Sequence, residues 1–280
     1  MTNTFSLGAA SVSAIFDLAF SSPLNKLFPK ADPATIDDCG MLGSLSPAGE
    51  VILQVRSWLI RAGGRNILVD ACVGAEKDRS SWPEWHQRDG ATYQAGLAAA
   101  GLAPSDIDIV FCTHLHADHV GWNTVLHDGR WVPTFTNART LVGRTEYDHF
   151  AQATSGTAKT AFADSVLPVM EAGLMDLVDD GYELAKDFSL TLTPGHSPGH
   201  MCLNAPGAVF CGDVIHSPIQ LADPDLACAF DFDRDAARKA RKALLETVAE
   251  AGSLLVPTHF PDPGRCWLQR SGERYIPILP

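Results

Sequence analysis

The feature that most constrains this chain is a histidine-rich segment directly after a buried strand. The apolar residues 107–112 predict the strand, and His114, His116, Asp118 and His119 follow it. Residues two apart in an extended chain point the same way, so the first two histidines can face one metal ion. The aspartate and the last histidine, at the turn that follows, can face a second ion. A donor set of imidazole and carboxylate suits zinc, iron, manganese or cobalt.

Three short strands later in the chain lead into further polar segments. The apolar stretches that predict these strands are residues 189–193, 208–211 and 254–256. His196, Asp213 and His259 follow the three strands in that order. Loops at strand ends are where α/β folds place their chemistry. These three side chains are therefore candidates for the same metal site.

Together the motifs resemble those of the metallo-β-lactamase-fold hydrolase superfamily over nearly the whole chain. The matching residues are Leu68-Val69-Asp70, His114, His116, Asp118, His119, Gly195-His196, Gly212-Asp213 and Thr258-His259. The resemblance implies an α/β fold, the αββα sandwich of that family, with a metal site at the edge of the sheets. We expect one domain over residues 1–280, although the length also allows two fused halves.

The resemblance further implies two divalent metal ions as cofactors, with zinc as the first expectation and iron, manganese or cobalt as alternatives. The ligands of the first ion would be His114, His116 and His196. The ligands of the second ion would be Asp118, His119 and His259. Asp213 would bridge both ions.

Three weaker stretches resemble the lactonase and methyl parathion hydrolase group of that superfamily. They are residues 23–29, 133–138 and 212–218, the last followed by residues 259–261. The implied activity is hydrolysis of a small lactone, ester or organophosphate triester. Two ions roughly 3.5–4 Å apart can share a water and bring its pKa near 7, which supplies a bridging hydroxide nucleophile. Asp118 would also be a catalytic residue that orients the nucleophile or passes a proton to the leaving group.

Three other functions stay open. A β-lactam or thioester hydrolase would use the same two ions, and the ligands do not separate these substrates. An oxidoreductase resembling the persulfide dioxygenases would use a single iron, and the complete second ligand set argues against it. A non-catalytic binding protein that has kept the fold is the third alternative. Missing ligands would favour it, and all seven are present.

His216, three residues after Asp213, is the second candidate catalytic residue. In the family that the chain resembles, lactonases specialised for acyl-homoserine lactones hold a tyrosine at this place. A neutral imidazole can donate or accept one hydrogen bond and can assist the leaving group or the oxyanion. The alternative is that His216 only orients Asp213. We therefore expect that acyl-homoserine lactones are not the best substrates.

The substrate pocket is expected to be apolar. Residues 17–47 contain proline and serine without clear periodicity, which predicts a long loop or flap over the site. Phe20, Leu24 and Phe28 in this segment are candidate pocket residues, and an irregular packing segment is the alternative. Trp122, directly after the histidine motif, is a candidate for the pocket wall, although such tryptophans are more often core residues.

The composition excludes several classes of protein and partner. Apolar residues make up 46% and charged residues 19%, which excludes a disordered chain. The 21 basic and 33 acidic residues give a formal net charge of −12, which disfavours nucleic acid and anionic membranes as partners. The seven cysteines form no C-x-x-C motif, which is typical of free thiols in the cytoplasm. A small-molecule substrate is the expected partner, and a homodimer is implied by the resemblance alone.

Overall fold

The computed structural model of this protein describes residues 4–32 and 44–280. The chain divides into two compact units. The first unit comprises residues 1–18 and 55–180, and the second comprises residues 19–54 and 181–280. The expectation of one domain over residues 1–280 stays a prediction.

Strands and helices follow one another along the described chain. The strands are β1 Thr4–Leu7, β2 Ala10–Ser22, β3 Val51–Ala62, β4 Arg65–Val69, β5 Ile109–Cys112, β6 Thr124–His127, β7 Arg130–Pro133, β8 Arg139–Gly143, β9 Met175–Val178, β10 Glu183–Ala185, β11 Phe188–Leu192, β12 Met201–Ala205, β13 Ala208–Gly212, β14 Leu254–Pro257, β15 Trp267–Ser271 and β16 Arg274–Ile278. The α-helices are α1 Leu24–Leu27, α2 Ala91–Ala99, α3 Ala117–Val120, α4 Arg144–Phe150, α5 Gly156–Ala161, α6 Leu167–Glu171, α7 Ile219–Ala222 and α8 Arg234–Ala251. A π-helical turn, Phe162–Val166, separates α5 from α6, where the sequence predicts one continuous helix.

The larger sheet has seven strands in the order β1-β2-β3-β4-β5-β8-β9. Strands β3 and β4 form the predicted hairpin at Gly63 and Gly64, whose positive φ angles of 57° and 76° glycine adopts without strain. Strand β4 is parallel to β5, and β5 is parallel to β8. The carboxyl ends of β4 and β5 therefore lie side by side, with Asp70 after one and the histidine motif after the other.

The central strands of this sheet are buried on both faces. All four residues of β5 are buried, and so are the six consecutive residues 55–60 of β3. A strand covered on both faces reads as a continuous apolar run rather than an alternating one. This explains why the apolar residues 107–112 predicted β5.

The second unit carries a five-stranded sheet in the order β10-β11-β12-β13-β14. Strands β13 and β14 are parallel, with Gly212 opposite Pro257. Asp213 and His259 follow these two strands, so the register of the parallel pair brings the ends that carry them together.

Helix α8, within the second unit, is buried along one stripe of its surface. The buried residues are Ala237, Arg241, Leu245 and Val248, at the three- and four-residue spacing of one helix face. The Asp233 carboxylate caps the helix by accepting the N–H groups of Asp235 and Ala236, both at 3.0 Å. Residues 235–251 alternate charged residues with alanine and leucine, which predicts an amphipathic helix that begins within one residue of the observed start.

The described part of the predicted flap begins with regular structure. Strand β2 continues to Ser22, and α1 follows at once, so residues 17–27 are not a loop. Residues 33–43 of the predicted flap, and Cys39 with them, lie outside the described residues.

Six of the seven cysteines lie in the described part of the chain, and all six are buried free thiols, as expected. None of the helices in residues 4–32 and 44–280 combines the length and the hydropathy that crossing a membrane requires.

Candidate metal centre

The histidine motif begins where β5 ends and continues into the single turn of α3. His114 and His119 are fully buried, and Asp118 is almost so. The donor atoms of His114 and His116, of His114 and His119, and of Asp118 and His119 lie within 4.8 Å of each other. The first unit thus gathers all four predicted ligands of the motif into one small space.

Asp70, which directly follows β4, forms hydrogen bonds with the residues of the histidine motif. Its carboxylate accepts the Thr113 N–H at 2.8 Å, the Thr113 hydroxyl at 3.0 Å and Nδ1 of His119 at 2.9 Å. A carboxylate can only accept, so Nδ1 of His119 carries the proton and Nε2 carries the lone pair that a metal needs. Asp70 also has a φ of 62°, a conformation uncommon outside glycine.

A hydrogen-bond relay fixes His114 in the same way. The Thr113 hydroxyl donates to Asp70, so it accepts from Nδ1 of His114 at 3.1 Å. Nε2 of His114 then lies 3.0 Å from Nδ1 of His116. Two ligand nitrogens on a tetrahedral zinc ion lie about 3.3 Å apart, so this pair is spaced for one ion.

The loop after Asp70 lies against the turn that carries the motif. Ala71 donates to the carbonyl oxygen of His119, and Gly121 and Trp122 donate back to those of Cys72 and Ala71, each at 2.7 Å. The backbones approach so closely that a Cβ on Gly121 would lie 1.8 Å from the Val73 carbonyl oxygen. Backbone contacts therefore hold the motif in place.

Glu146 of α4 was missed by the sequence reasoning. It is fully buried, and its Oε1 accepts the N–H of Leu115 at 3.0 Å, between the first two histidines. No spacing in the sequence links residue 146 to the motif, because α4 follows a different strand.

Asp213 lies at the centre of the candidate ligands of the second unit. Its Oδ2 lies 3.5 Å from Nε2 of His196 and 3.3 Å from Nε2 of His216. Its Oδ1 lies 3.1 Å from Nε2 of His259. The two oxygens of one carboxylate thus face two of the predicted ligand histidines separately.

In two of the candidate ligands of the second unit, His196 and His259, the other ring nitrogen is held by an acceptor. Nδ1 of His196 lies 3.1 Å from Oδ1 of Asp231, and Nδ1 of His259 lies 2.9 Å from the carbonyl oxygen of Gln54. These acceptors place the protons on Nδ1 and leave Nε2 as the ligand atom. Asp231 was also missed, since nothing in its local sequence marks it.

His200 follows the loop that carries His196, and this position predicts a support for the turn and not a metal ligand. Its Nε2 accepts the N–H of Asp213 at 3.1 Å, and its Nδ1 therefore donates to the Thr193 hydroxyl at 2.8 Å. This histidine ties the loop after β11 to the turn after β13.

His216 is buried beside Asp213, where the sequence placed it. Its ring centroid lies 4.7 Å from that of His196, and its N–H donates to the Gln220 side chain at 2.8 Å. Burial works to lower the pKa of His216, but Cys228 and Asp213 together raise it well above its usual value. His216, His196 and Asp231 also offer donor atoms within 4.8 Å of one another.

The four candidate pocket residues are buried or half-buried, and their role in binding a substrate stays a prediction. Phe28 is fully buried, and Phe20 and Leu24 pack half-buried against the same apolar cluster. Trp122 is buried and stacks on Tyr93 with ring centroids 4.8 Å apart. These positions favour the packing alternative for Phe28 and the core alternative for Trp122.

Two solved structures share the fold of this chain. AidC, a dizinc quorum-quenching lactonase in complex with the product N-hexanoyl-L-homoserine, has a TM-score of 0.78 and 22% identity, covering 99% of this chain and 97% of AidC. The hydrolase AbOPH of the β-lactamase superfamily has a TM-score of 0.80 and 24% identity, with coverage of 99% and 97%. At this identity the likeness is one of fold.

The curated relatives match a shorter part of the chain. An N-acyl homoserine lactonase of Bacillus thuringiensis is 31% identical over 107 residues, which is 38% of this chain. The matched part spans only 36% of that lactonase's own length.

A family model, that of the metallo-beta-lactamase superfamily, matches residues 51–259. The match and the two mixed sheets confirm the predicted fold class. The matched residues make up well over half of the chain and include every histidine and aspartate of both candidate ligand sets. The protein therefore belongs to the metallo-β-lactamase superfamily.

Proposed function

We propose that the protein is a metal-dependent hydrolase of small lactones, esters or organophosphate triesters. The proposed ligands of two divalent ions are His114, His116, Asp118, His119, His196, Asp213 and His259. The observation that carries the proposal is Asp213, whose two oxygens lie 3.5 Å and 3.1 Å from the ring nitrogens of His196 and His259. Each distance is near the ~3.3 Å between two ligand atoms on a tetrahedral zinc ion. One carboxylate can therefore serve two ions.

The chemistry of the donors supports this assignment. His119, His196 and His259 each have Nδ1 held by an acceptor, which leaves Nε2 as the donor. Histidines that bind metal typically have the other ring nitrogen fixed in this way. The set contains imidazoles and carboxylates without a thiolate, which suits zinc and also iron, manganese or cobalt.

When bound, the two ions would activate a water molecule at neutral pH and polarise the carbonyl or phosphoryl oxygen of the substrate. Asp118 lies beside His119, with Oδ2 at 3.8 Å from Nε2, where its carboxylate can orient the attacking water. Its second role would be to pass the proton gained from that water to the leaving group. Because Asp118 is nearly buried, the proton would be exchanged within the site.

His216 is proposed as a group that assists the substrate oxygen or the leaving group. Its Nε2 lies 3.3 Å from Asp213, so the ring stands next to the proposed bridge. An imidazole has a shorter reach than the phenol of tyrosine. The curated relatives named N-acyl homoserine lactonases support a lactone as one substrate class. Aryl esters, other lactones and phosphotriesters are proposed to be better substrates than acyl-homoserine lactones.

The other activities would use the same residues. A β-lactam or thioester hydrolase would keep both ligand sets. An oxidoreductase with one iron would need only the first set, and the paired contacts of Asp213 favour two ions. Zinc, homodimer formation and the small-molecule substrate belong to the proposal as expectations from the family.

Metal content and substrate range test the proposal directly. Elemental analysis of the purified protein should find about two divalent ions per chain, as a dinuclear site requires. A screen of lactones, aryl esters, phosphotriesters, β-lactams and thioesters should give the highest kcat/KM in the first three classes. In His216→Gln, kcat should fall while both ions are retained.

Full hydrolytic activity in metal-free protein would contradict the proposal. A single iron with persulfide oxidation would favour the oxidoreductase. If acyl-homoserine lactones gave the highest kcat/KM, the argument from His216 would fail while the metal site stood. Loss of an ion in His216→Gln would make His216 a support for Asp213.

A further inference from the structure

The side chain of Arg241 contacts the backbone next to the candidate ligand Asp213. It is fully buried on the inner face of α8. Its Nε donates to the carbonyl oxygen of Pro224 at 3.0 Å, and its Nη1 donates to that of Val214 at 3.3 Å. Val214 directly follows Asp213, so the guanidinium holds the backbone beside the proposed bridging ligand.

The same guanidinium places a positive charge near Asp231. Burial lowers the pKa of Arg241, and the negative charge of Asp231 is the strongest influence that opposes this. A guanidinium stays protonated at any accessible pH. Asp231 in turn accepts from Nδ1 of His196 at 3.1 Å and from the Cys228 N–H at 2.8 Å.

Packing alone does not account for an arginine at this position. Its Nη2 is buried with no hydrogen-bond partner in the part of the chain that the structure describes. A buried charge costs free energy, and an apolar side chain of similar volume often gives a more stable protein. A methionine would pack α8 without this cost.

We propose that Arg241 is a positioning residue for the metal centre. Its charge holds the Asp231 carboxylate in place, so that His196 keeps its proton on Nδ1 and presents Nε2 to the first ion. It also fixes the turn of Asp213 through the Val214 carbonyl group. The inference rests on the proposed function, since it takes His196 and Asp213 as ligands.

The test compares Arg241→Met and Arg241→Lys with Arg238→Met in the full chain. Arg238 lies on the same helix but is 42% exposed in its side chain and pairs with Asp225 and Asp235. Zinc affinity is measured by competition with a chromophoric chelator. Arg241→Met should weaken the binding of one ion about 10- to 100-fold, the size expected when a group supporting a ligand is lost. Arg241→Lys should recover part of the affinity, and Arg238→Met should match the wild type.

A second measurement reads the tautomer of His196 without metal or substrate. In ¹⁵N spectra of metal-free protein, wild-type His196 should be protonated on Nδ1. In Arg241→Met, His196 should be a mixture of the Nδ1-protonated and Nε2-protonated tautomers. Asp231→Asn should cause the same change. The double variant Arg241→Met/Asp231→Asn should lose little more zinc affinity than either single variant, because both act on one interaction.

Wild-type affinity for both ions together with an unchanged His196 tautomer in Arg241→Met would overturn the inference. If that variant fails to fold, Arg241→Lys and Asp231→Asn decide in the same two measurements. A wild type that binds no metal would instead remove the proposed function, and the tautomer measurement would still test whether Arg241 acts on His196.

Discussion

At the scale of single residues, the second nitrogen of each histidine matters as much as the first. Asp70, Asp231 and the Gln54 carbonyl group each hold an Nδ1 of a proposed ligand. An imidazole has one proton in its neutral form, so fixing that proton on Nδ1 commits Nε2 to the metal. A ligand motif in the sequence reveals the histidine but not the group that chooses its tautomer.

Replacing Asp70 by asparagine should weaken the second metal ion most, because Asp70 contacts His119 directly and reaches His114, a proposed ligand of the first ion, only through Thr113. The amide oxygen of asparagine would still accept a hydrogen bond. The negative charge of the carboxylate, which holds Thr113 and His119 together, would be lost. We expect an affinity for one ion about 10- to 100-fold below that of the wild type, measured by chelator competition. Asp128→Asn is the control, because Asp128 is 92% exposed in its side chain. Equal affinities in wild type and Asp70→Asn would show that Asp70 only shapes the loop.

At the scale of elements, two backbone segments cross beside the metal centre. Residues 71–74 contact residues 119–122 through three short backbone hydrogen bonds. Glycine at 121 is required for the close approach and not for its backbone angles, since its φ is −57°. The turn that carries Asp118 and His119 is thus held by neighbours in space, because a single helical turn has little stability of its own.

Gly121→Ala should therefore destabilise the protein strongly. The new Cβ would meet the Val73 carbonyl oxygen at 1.8 Å, and backbone cannot rotate away as a side chain can. We expect the free energy of unfolding to fall by about 3 kcal/mol or more in urea titrations. Gly96→Ala is the matched control, because its Cβ would lie 3.3 Å from Cγ2 of Ile15 and no nearer than 3.9 Å to any backbone atom outside its own helix. If the free energy of unfolding fell by a similar amount in both variants, the close approach of the two backbone segments would not be the reason for glycine at 121.

At the scale of the whole molecule, bound metal should add to the stability of the native state. An ion that binds only the native state stabilises it by mass action, by about 2.7 kcal/mol at 100 times its Kd.

Removing the metal should accordingly lower the melting temperature. For a protein of this size, a loss of about 2.7 kcal/mol corresponds to roughly 5–10 °C. Differential scanning calorimetry with and without a chelator measures the shift, and His127→Ala, which changes an exposed histidine outside the ligand sets, should show the same shift as the wild type. An unchanged melting temperature in the chelated protein would mean that no ion contributes to native stability.

The sequence by itself determined the fold class and the candidate ligands. Buried parallel strands such as β5 require continuous apolar runs, and ligand atoms must be specific side chains at strand ends, so both leave a direct mark in the sequence. The boundaries of β5, β14 and α8 were predicted to within one or two residues for this reason. His114, His116, Asp118 and His119 could be recognised because they are adjacent in the chain.

Only the tertiary structure decided which groups support those ligands. Asp231, Glu146 and Arg241 lie far along the chain from the side chains or backbone that they hold, and each has an unremarkable local sequence. The structure also assigned Phe28 to an apolar cluster, where sequence alone allowed a flap. Hydrogen bonds and burial between distant segments depend on the packing of whole elements, and that packing leaves no periodic pattern in the sequence.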